Sequence, residues 1–161
     1  MLHSVIHNVS ALSPLKDFKP VPDWFTSYLW KQIMGQRVLS ITGGSDKGRK
    51  VRSYAFCAKE DAAARGAVVV MILNVQNATA EVEFEGVGPS DGARQDYVFG
   101  PACCVVNSAG ITLNGGPPLT VAPDGTLPTY HPTNAKAGET LSLAPYAIAF
   151  SLFSDAQAGA C

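Results

Sequence analysis

Glu81, Glu83 and Glu85 alternate along AEVEFEG and form the densest carboxylate group in the chain. On a strand, residues two apart share a face. Three carboxylates side by side would suit a metal ion or an acid/base pair. No His or Asp is grouped locally with them. We read them as the solvated face of a strand whose other face, Ala80, Val82 and Phe84, points inward. GxSxG, HExxH and P-loop patterns are absent. Asn-Glu, a pairing common around glycosidase carboxylates, does not occur. These residues therefore predict no catalytic residue and no cofactor.

A second group is basic. Arg37, Lys47, Arg49, Lys50 and Arg52 cluster around a first hairpin. Lys47, Arg49, Lys50 and Arg52 are candidate contacts for a sulfated or carboxylated glycan. Charges that keep an edge hairpin soluble are the preferred reading. Tyr130 and His131, in TLPTYHPTNAKAGE, offer a stacking platform or, as we prefer, a loop packed against its neighbours. Both Trp residues, Trp24 and Trp30, lie outside the strand-like segments. That counts against a sugar-binding module built on exposed Trp.

The four cysteines are Cys57, Cys103, Cys104 and Cys161. There is no CxxC, and no His is grouped with a Cys at zinc-like spacing, so no metal site is expected. Cys103 and Cys104 would point to opposite faces of a strand, one of them as a small core residue. A disulfide that ties down the terminus suits Cys161. Asn77-Ala78-Thr79 and Asn8-Val9-Ser10 are glycosylation sequons.

These residues need elements to position them. Val21–Gly35, VPDWFTSYLWKQIMG, predicts a helix. Pro22 suits its first position, Asp23 complements the dipole, and Gly35 is the expected left-handed stop. Trp24, Phe25, Tyr28, Leu29, Trp30, Ile33 and Met34 cover more than the roughly 100° stripe of a surface helix. They cannot all face one sheet, so at least two should be exposed on one side. Beyond the helix the period changes to two. Strands are predicted at Arg37–Thr42, Lys50–Ala58, Ala67–Val75, Thr79–Phe84, Arg94–Phe99, Cys103–Val106, Ile111–Leu113, Thr140–Leu143 and Ala147–Phe153. AVVVMILNV, apolar without alternation, reads as a central buried strand. Short strands with turn signals between them predict an antiparallel β-sandwich. The expected divisions are an extended lead-in over residues 1–20, a helix over 21–35 and a sandwich over 36–161.

A chain of 161 residues is one domain of ordinary size. Its hydrophobic fraction of 47% supports a core, and 16% charged residues is sparse, against roughly 25% in typical domains. Some surface is therefore expected to be covered. A net charge of −1 argues against nucleic acid as a partner. No apolar run reaches the roughly 20 residues of a membrane span. The opening MLHSVIHNVSALS lacks a basic segment, so any secretion signal is expected upstream.

VPDWFTSYLWKQIMGQRVLSI resembles the P-x-PD-[YW]-W-x-S-x-L-W-K-x-L-M-G-x-x-VL segment of the heparanase-like glycosidases, glycoside hydrolase family 79. The similarity runs on through KVRSYAFCAK, MILNVQNATAEVEF, ITLNG with the later TLP, GETLSLAPYAIAFSLF and the final AGAC. The resemblance implies a (β/α)8 catalytic barrel upstream, of which Pro22–Gly35 is the last helix, and a sandwich from Arg37 to Cys161. It implies a Cys57–Cys161 disulfide, glycosylation at Asn77, and a secreted, extracellular or lysosomal location. It supplies no catalytic residue, because the family's two glutamates lie on barrel strands and nothing here matches them. The expected role is a non-catalytic accessory domain whose partner is the missing barrel, with acidic glycan as a further partner. A stand-alone glycan-binding or adhesion module is the alternative.

Overall fold

The computed structural model describes residues 20–42, 50–103 and 110–161. Among them are one helix, α1 (Pro22–Ile33), and nine strands: β1 (Met34–Leu39), β2 (Val51–Ala58), β3 (Val68–Asn74), β4 (Ala80–Val82), β5 (Ala93–Pro101), β6 (Ile111–Leu113), β7 (Thr133–Lys136), β8 (Leu141–Leu143) and β9 (Ile148–Phe153). The main sheet has the order β1-β2-β3-β9-β5-β6, and β7 also pairs with β5. Its ladders are antiparallel. Strand β4 pairs with β8 in a small second sheet. The fold is mainly β and antiparallel, with one N-terminal helix and no closed barrel.

Strand alternation builds two cores. Val69 of β3, Phe150 and Leu152 of β9, and Tyr97 and Phe99 of β5 pack against Phe25, Leu29 and Ile33 of α1. Val68, Val70 and Ile72 of β3, with Ala149 and Phe153 of β9, point the other way. There they meet Ala80, Leu141 and Leu143 of the small sheet. The sandwich is thus lopsided, seven strands against two, and the helix covers the face that the small sheet leaves open. This explains why β3 is apolar without alternation: both its faces are dry.

The helix begins as expected, with Pro22 in the first turn and Asp23 beside it. Its end differs. Met34 is already extended, and the chain passes directly into β1. Gly35 is not a left-handed cap. A Cβ there would lie 2.7 Å from the Cys57 carbonyl oxygen, so glycine lets β1 approach β2. The last helical turn is closed from outside, by the Lys59 N–H donating to the Ile33 carbonyl at 2.8 Å.

Two other expectations change. Thr133–Lys136 lies in the segment read as a loop, yet it pairs with Ala93–Asp96. Its side chains are polar or small, so no alternation marked it. Cys103, expected to open a strand, lies exposed just after β5, and Cys104 is outside the described residues.

Among the described residues the interior holds one ion pair. Arg94 and Asp96, two apart on β5, are both buried. The Arg94 Nε donates to both Asp96 carboxylate oxygens at 3.0 Å, and Nη2 lies 2.9 Å from Oδ2. Ser151, opposite Asp96 on β9, donates to Oδ1 at 2.6 Å. The Arg94 guanidinium also donates to the Ala137 and Glu139 carbonyls and lies 4.9 Å from the Phe84 ring centre. Among the described residues no buried side-chain polar atom is left without a partner.

Cys57 and Cys161 are joined by a disulfide with a Cα–Cα distance of 5.3 Å. The C-terminus also bonds Arg37, whose guanidinium donates to the Ala160 carbonyl.

Removing one partner of a buried pair strands the other charge, at about 3–5 kcal/mol. Asp96→Asn and Arg94→Met should each lower unfolding free energy by about that much. An apolar Arg94→Met/Asp96→Leu pair should recover part of the loss, read by urea denaturation.

Candidate docking surface

Helix α1 does not cover the whole helix-side face of the main sheet. Arg52, Tyr54 and Phe56 of β2 point to that face by alternation, and Val38 of β1 stands opposite Phe56. The Trp30 ring meets Phe56 edge-on at 5.2 Å and Phe150 at 6.4 Å. Around the Phe56 floor three large side chains reach solvent: Trp30 at 37%, Val38 at 67% and Tyr54 at 44% exposure. Strand β1 is the last strand on this side of the sheet, so its outer backbone edge is open among the described residues. An apolar patch beside an open edge is what a soluble surface normally avoids.

The rest of the helix is not a free surface. Phe25, Leu29, Ile33 and Met34 are buried within the chain and cannot face an outside partner. Trp24 and Tyr28 are half-buried, their rings stacked at 5.3 Å. Of the seven apolar helix-region residues, only Trp30 is exposed, so the expectation of at least two is corrected. The reason is the connection between β6 and β7. Leu119, Val121 and Tyr130 fold against the helix-side core. Tyr130 packs edge-on against Tyr28 and Phe99, each at 5.6 Å, and donates its hydroxyl to the Phe25 carbonyl at 3.0 Å. Burial, with a smaller contribution from the neighbouring Tyr28, raises the Tyr130 pKa far above 10. His131 is exposed, and its carbonyl accepts from Asn114 at 3.1 Å.

The basic residues are divided. Arg52 is exposed on the helix-side face, whereas Arg37 points to the opposite face and holds the C-terminus. Lys50 is exposed, and Lys47 and Arg49 lie outside the described residues. Arg37 is thus separated from Arg52, and of the candidate glycan contacts Lys47, Arg49, Lys50 and Arg52 only Lys50 and Arg52 lie among the described residues. Glu81, Glu83 and Glu85 are exposed on the outer side of β4 and its continuation, and Glu81 accepts from Ser142 at 2.8 Å. Asn77 is exposed in the β3–β4 loop, and Asn8 lies outside the described residues. No group of three His, Cys, Asp or Glu able to hold a metal ion occurs among the described residues. No described helix is long and apolar enough to cross a membrane.

Compared with curated proteins, the chain is 30% identical over 158 residues to the inactive heparanase-2 of mouse and of human. The match takes in 91% of this chain and 26% of that protein. It is also 30% identical over 146 residues to chicken heparanase, covering 89% of this chain and 28% of that one. The chain is a homologue of the heparanase-like proteins. The baicalin-β-D-glucuronidase of Scutellaria baicalensis is similar too, 29% identical over 133 residues. No protein-family model matches the chain. It spans about a quarter of the length of these relatives.

The segments that carry the heparanase-like resemblance have identifiable structural duties. Asn74, in MILNV, is buried, and its amide donates to the carbonyls of Ala78, Leu143 and Ala144 at 2.8–3.0 Å. Asn114, in ITLNG, has a positive φ of 50°, which Asn adopts more readily than most residues. Its amide donates to the Asp96 and His131 carbonyls and accepts from the Val98 N–H. The sequence reading missed both Asn residues and the Arg94–Asp96 pair. For Asn74 the available signal was a polar residue closing an otherwise apolar strand.

Two outcomes follow from this surface. Trp30→Gln/Val38→Thr/Tyr54→Gln should reduce self-association in sedimentation velocity while leaving the melting temperature within a few degrees. The raised Tyr130 pKa means that the fold favours the neutral phenol. That stabilisation is complete below about pH 10 and is lost as pH rises further. Tyr130→Phe should cost about 1 kcal/mol at neutral pH through the lost hydrogen bond. It should also make alkaline unfolding shallower and remove one late-ionising phenol from the absorbance titration.

Proposed function

We propose that this chain is the non-catalytic accessory β-domain of a heparanase-like endo-β-glucuronidase, a hydrolase acting on acidic polysaccharide such as heparan sulfate. The observation that carries this reading is the coverage: the homology takes in about nine-tenths of this chain but about a quarter of the relatives. The remainder of such a protein is the (β/α)8 barrel, and α1 is the barrel's last helix. The Trp30–Val38–Tyr54 patch is where the barrel packs, since it joins α1 to an open sheet edge. Residues 36–161 form the sandwich domain.

The local chemistry agrees with a supporting role. Retaining glycoside hydrolysis needs two carboxyl groups about 5–5.5 Å apart flanking the scissile bond. Among the described residues, the buried carboxylate Asp96 is consumed by Arg94 and Ser151. Glu81, Glu83 and Glu85 stand exposed on an outer strand face. The Cys57–Cys161 disulfide suits an oxidising compartment, and we place the protein in the secretory pathway, outside the cell or in the lysosome.

Purified chain should show no turnover of heparan sulfate or of an aryl β-glucuronide. Turnover that disappears when a residue of this chain is substituted would overturn the reading. A heparanase-type barrel supplied in trans should bind the chain, and the Trp30→Gln/Val38→Thr/Tyr54→Gln variant should bind it severalfold more weakly. Specific retention on a glycan array without any barrel binding would favour a stand-alone glycan-binding module instead.

A further inference from the structure

Away from the helix, a groove of about 500 Å³ opens between the end of the β5–β6 hairpin and the β8–β9 turn. Its walls include Val98, Pro101, Pro145, Tyr146 and Ala147, and Asn77 lines it too. The walls are mainly apolar, yet the groove is open at the surface. Asn77 is the acceptor of the Asn77-Ala78-Thr79 sequon, and all three residues are exposed. The geometry points to an occupant that the chain itself carries: the first N-acetylglucosamine residues of a glycan on Asn77, lying in this groove against Pro145 and Tyr146.

Three observations support this seat. The attachment point and the groove wall are held by one group. The buried Asn74 amide donates to Ala78, next to the acceptor, and to Leu143 and Ala144, which lead into Pro145 and Tyr146. A sugar on Asn77 therefore starts from a fixed position relative to the wall. Second, Tyr146 has a positive φ of 59°, an uncommon conformation for a non-glycine residue, in the turn that forms this wall. Such outliers persist where the surroundings enforce them. Third, the lining chemistry fits. A pyranose ring presents an apolar C–H face and polar edges. Proline and tyrosine rings suit the face, and open solvent suits the edges. Gly100 and Gly115 also line the groove, where a Cβ would meet nothing closer than 3.8 Å at Gly100 and nothing within 4 Å at Gly115.

The link forms by group transfer. The Asn77 side-chain nitrogen bonds to the anomeric carbon of the oligosaccharide and loses one proton. The bond from that carbon to a lipid-linked diphosphate breaks, and the diphosphate leaves with the electron pair. The co-reactant is the lipid-linked oligosaccharide of the secretory pathway. The inference rests on the secretory reading above for its setting in the cell, and its test does not.

The test is to express the full chain behind a heterologous signal peptide in eukaryotic cells, alongside Thr79→Ala and Tyr146→Gly. Thr79→Ala removes the sequon and leaves Asn77 in place. Tyr146→Gly removes the ring and keeps a residue suited to positive φ. The parent chain should lose mass on treatment with an amidase that cleaves N-glycans, and Thr79→Ala should not. Amide hydrogen exchange over residues 98–101 and 144–147 should be severalfold slower in the glycosylated parent than in Thr79→Ala. In Tyr146→Gly the glycan should be present and most of that protection gone. An unglycosylated Asn77 would overturn the inference. So would a glycan that leaves exchange at the groove unchanged, or protection that survives in Tyr146→Gly. Failure of secretion from the native gene would count against the localisation alone.

Discussion

The main sheet is apolar on both faces, and every other layer answers that constraint. Val68, Val70 and Ile72 point one way from β3, and Val69 the other. Each fully buried Val or Leu is worth roughly 1.5–3 kcal/mol, so neither face can remain wet. The small β4–β8 sheet dries one face. It is too narrow to wrap the other, which is left to α1 and the β6–β7 connection. That division sets the position of the helix, the role of Tyr130 as its strap, and the uncovered strip at Trp30, Val38 and Tyr54.

Polar residues inside this apolar frame act as fasteners. Asn74 joins the β3–β4 loop to the β8–β9 turn, and Asn114 joins the β6 turn to β5 and the β7 lead-in. Arg94 and Asp96 join β5 to β9 and to the loop after β7. Each has partners in the fold, as a buried polar group requires. Such networks specify which strands meet, because a shifted register would leave a charge or amide unpaired. The disulfide does the same at the other end of the sheet, tying the chain terminus to β2.

The proposed packing against a larger body and the physical reading meet at one place, the β1 side of the helix. A domain complete in itself has no reason to leave Trp30, Val38 and Tyr54 together around Phe56 beside an open edge. A domain that packs against a larger body does. The helix supports this less than its composition suggests, since most of its apolar residues are used internally. In the proposed reading the joint is a strip on one flank of the helix.

Several features were legible from residue order alone. Pro22 and Asp23 mark the helix start, solid apolar runs mark β3 and β9, and alternation marks the inward face of β4. These are local effects of backbone preference and of period. The helix end was not legible, because Gly35 answers to the Cys57 carbonyl across the sheet and not to the helix before it. Strand β7 was hidden for a related reason: its polar residues pair through the backbone, which leaves no pattern in side chains. Which helix residues stay dry was also a tertiary decision. It depended on Tyr130, over a hundred residues away, reaching back to the Phe25 carbonyl. Composition can state how much apolar surface must be covered, and only the packed chain decides what covers it.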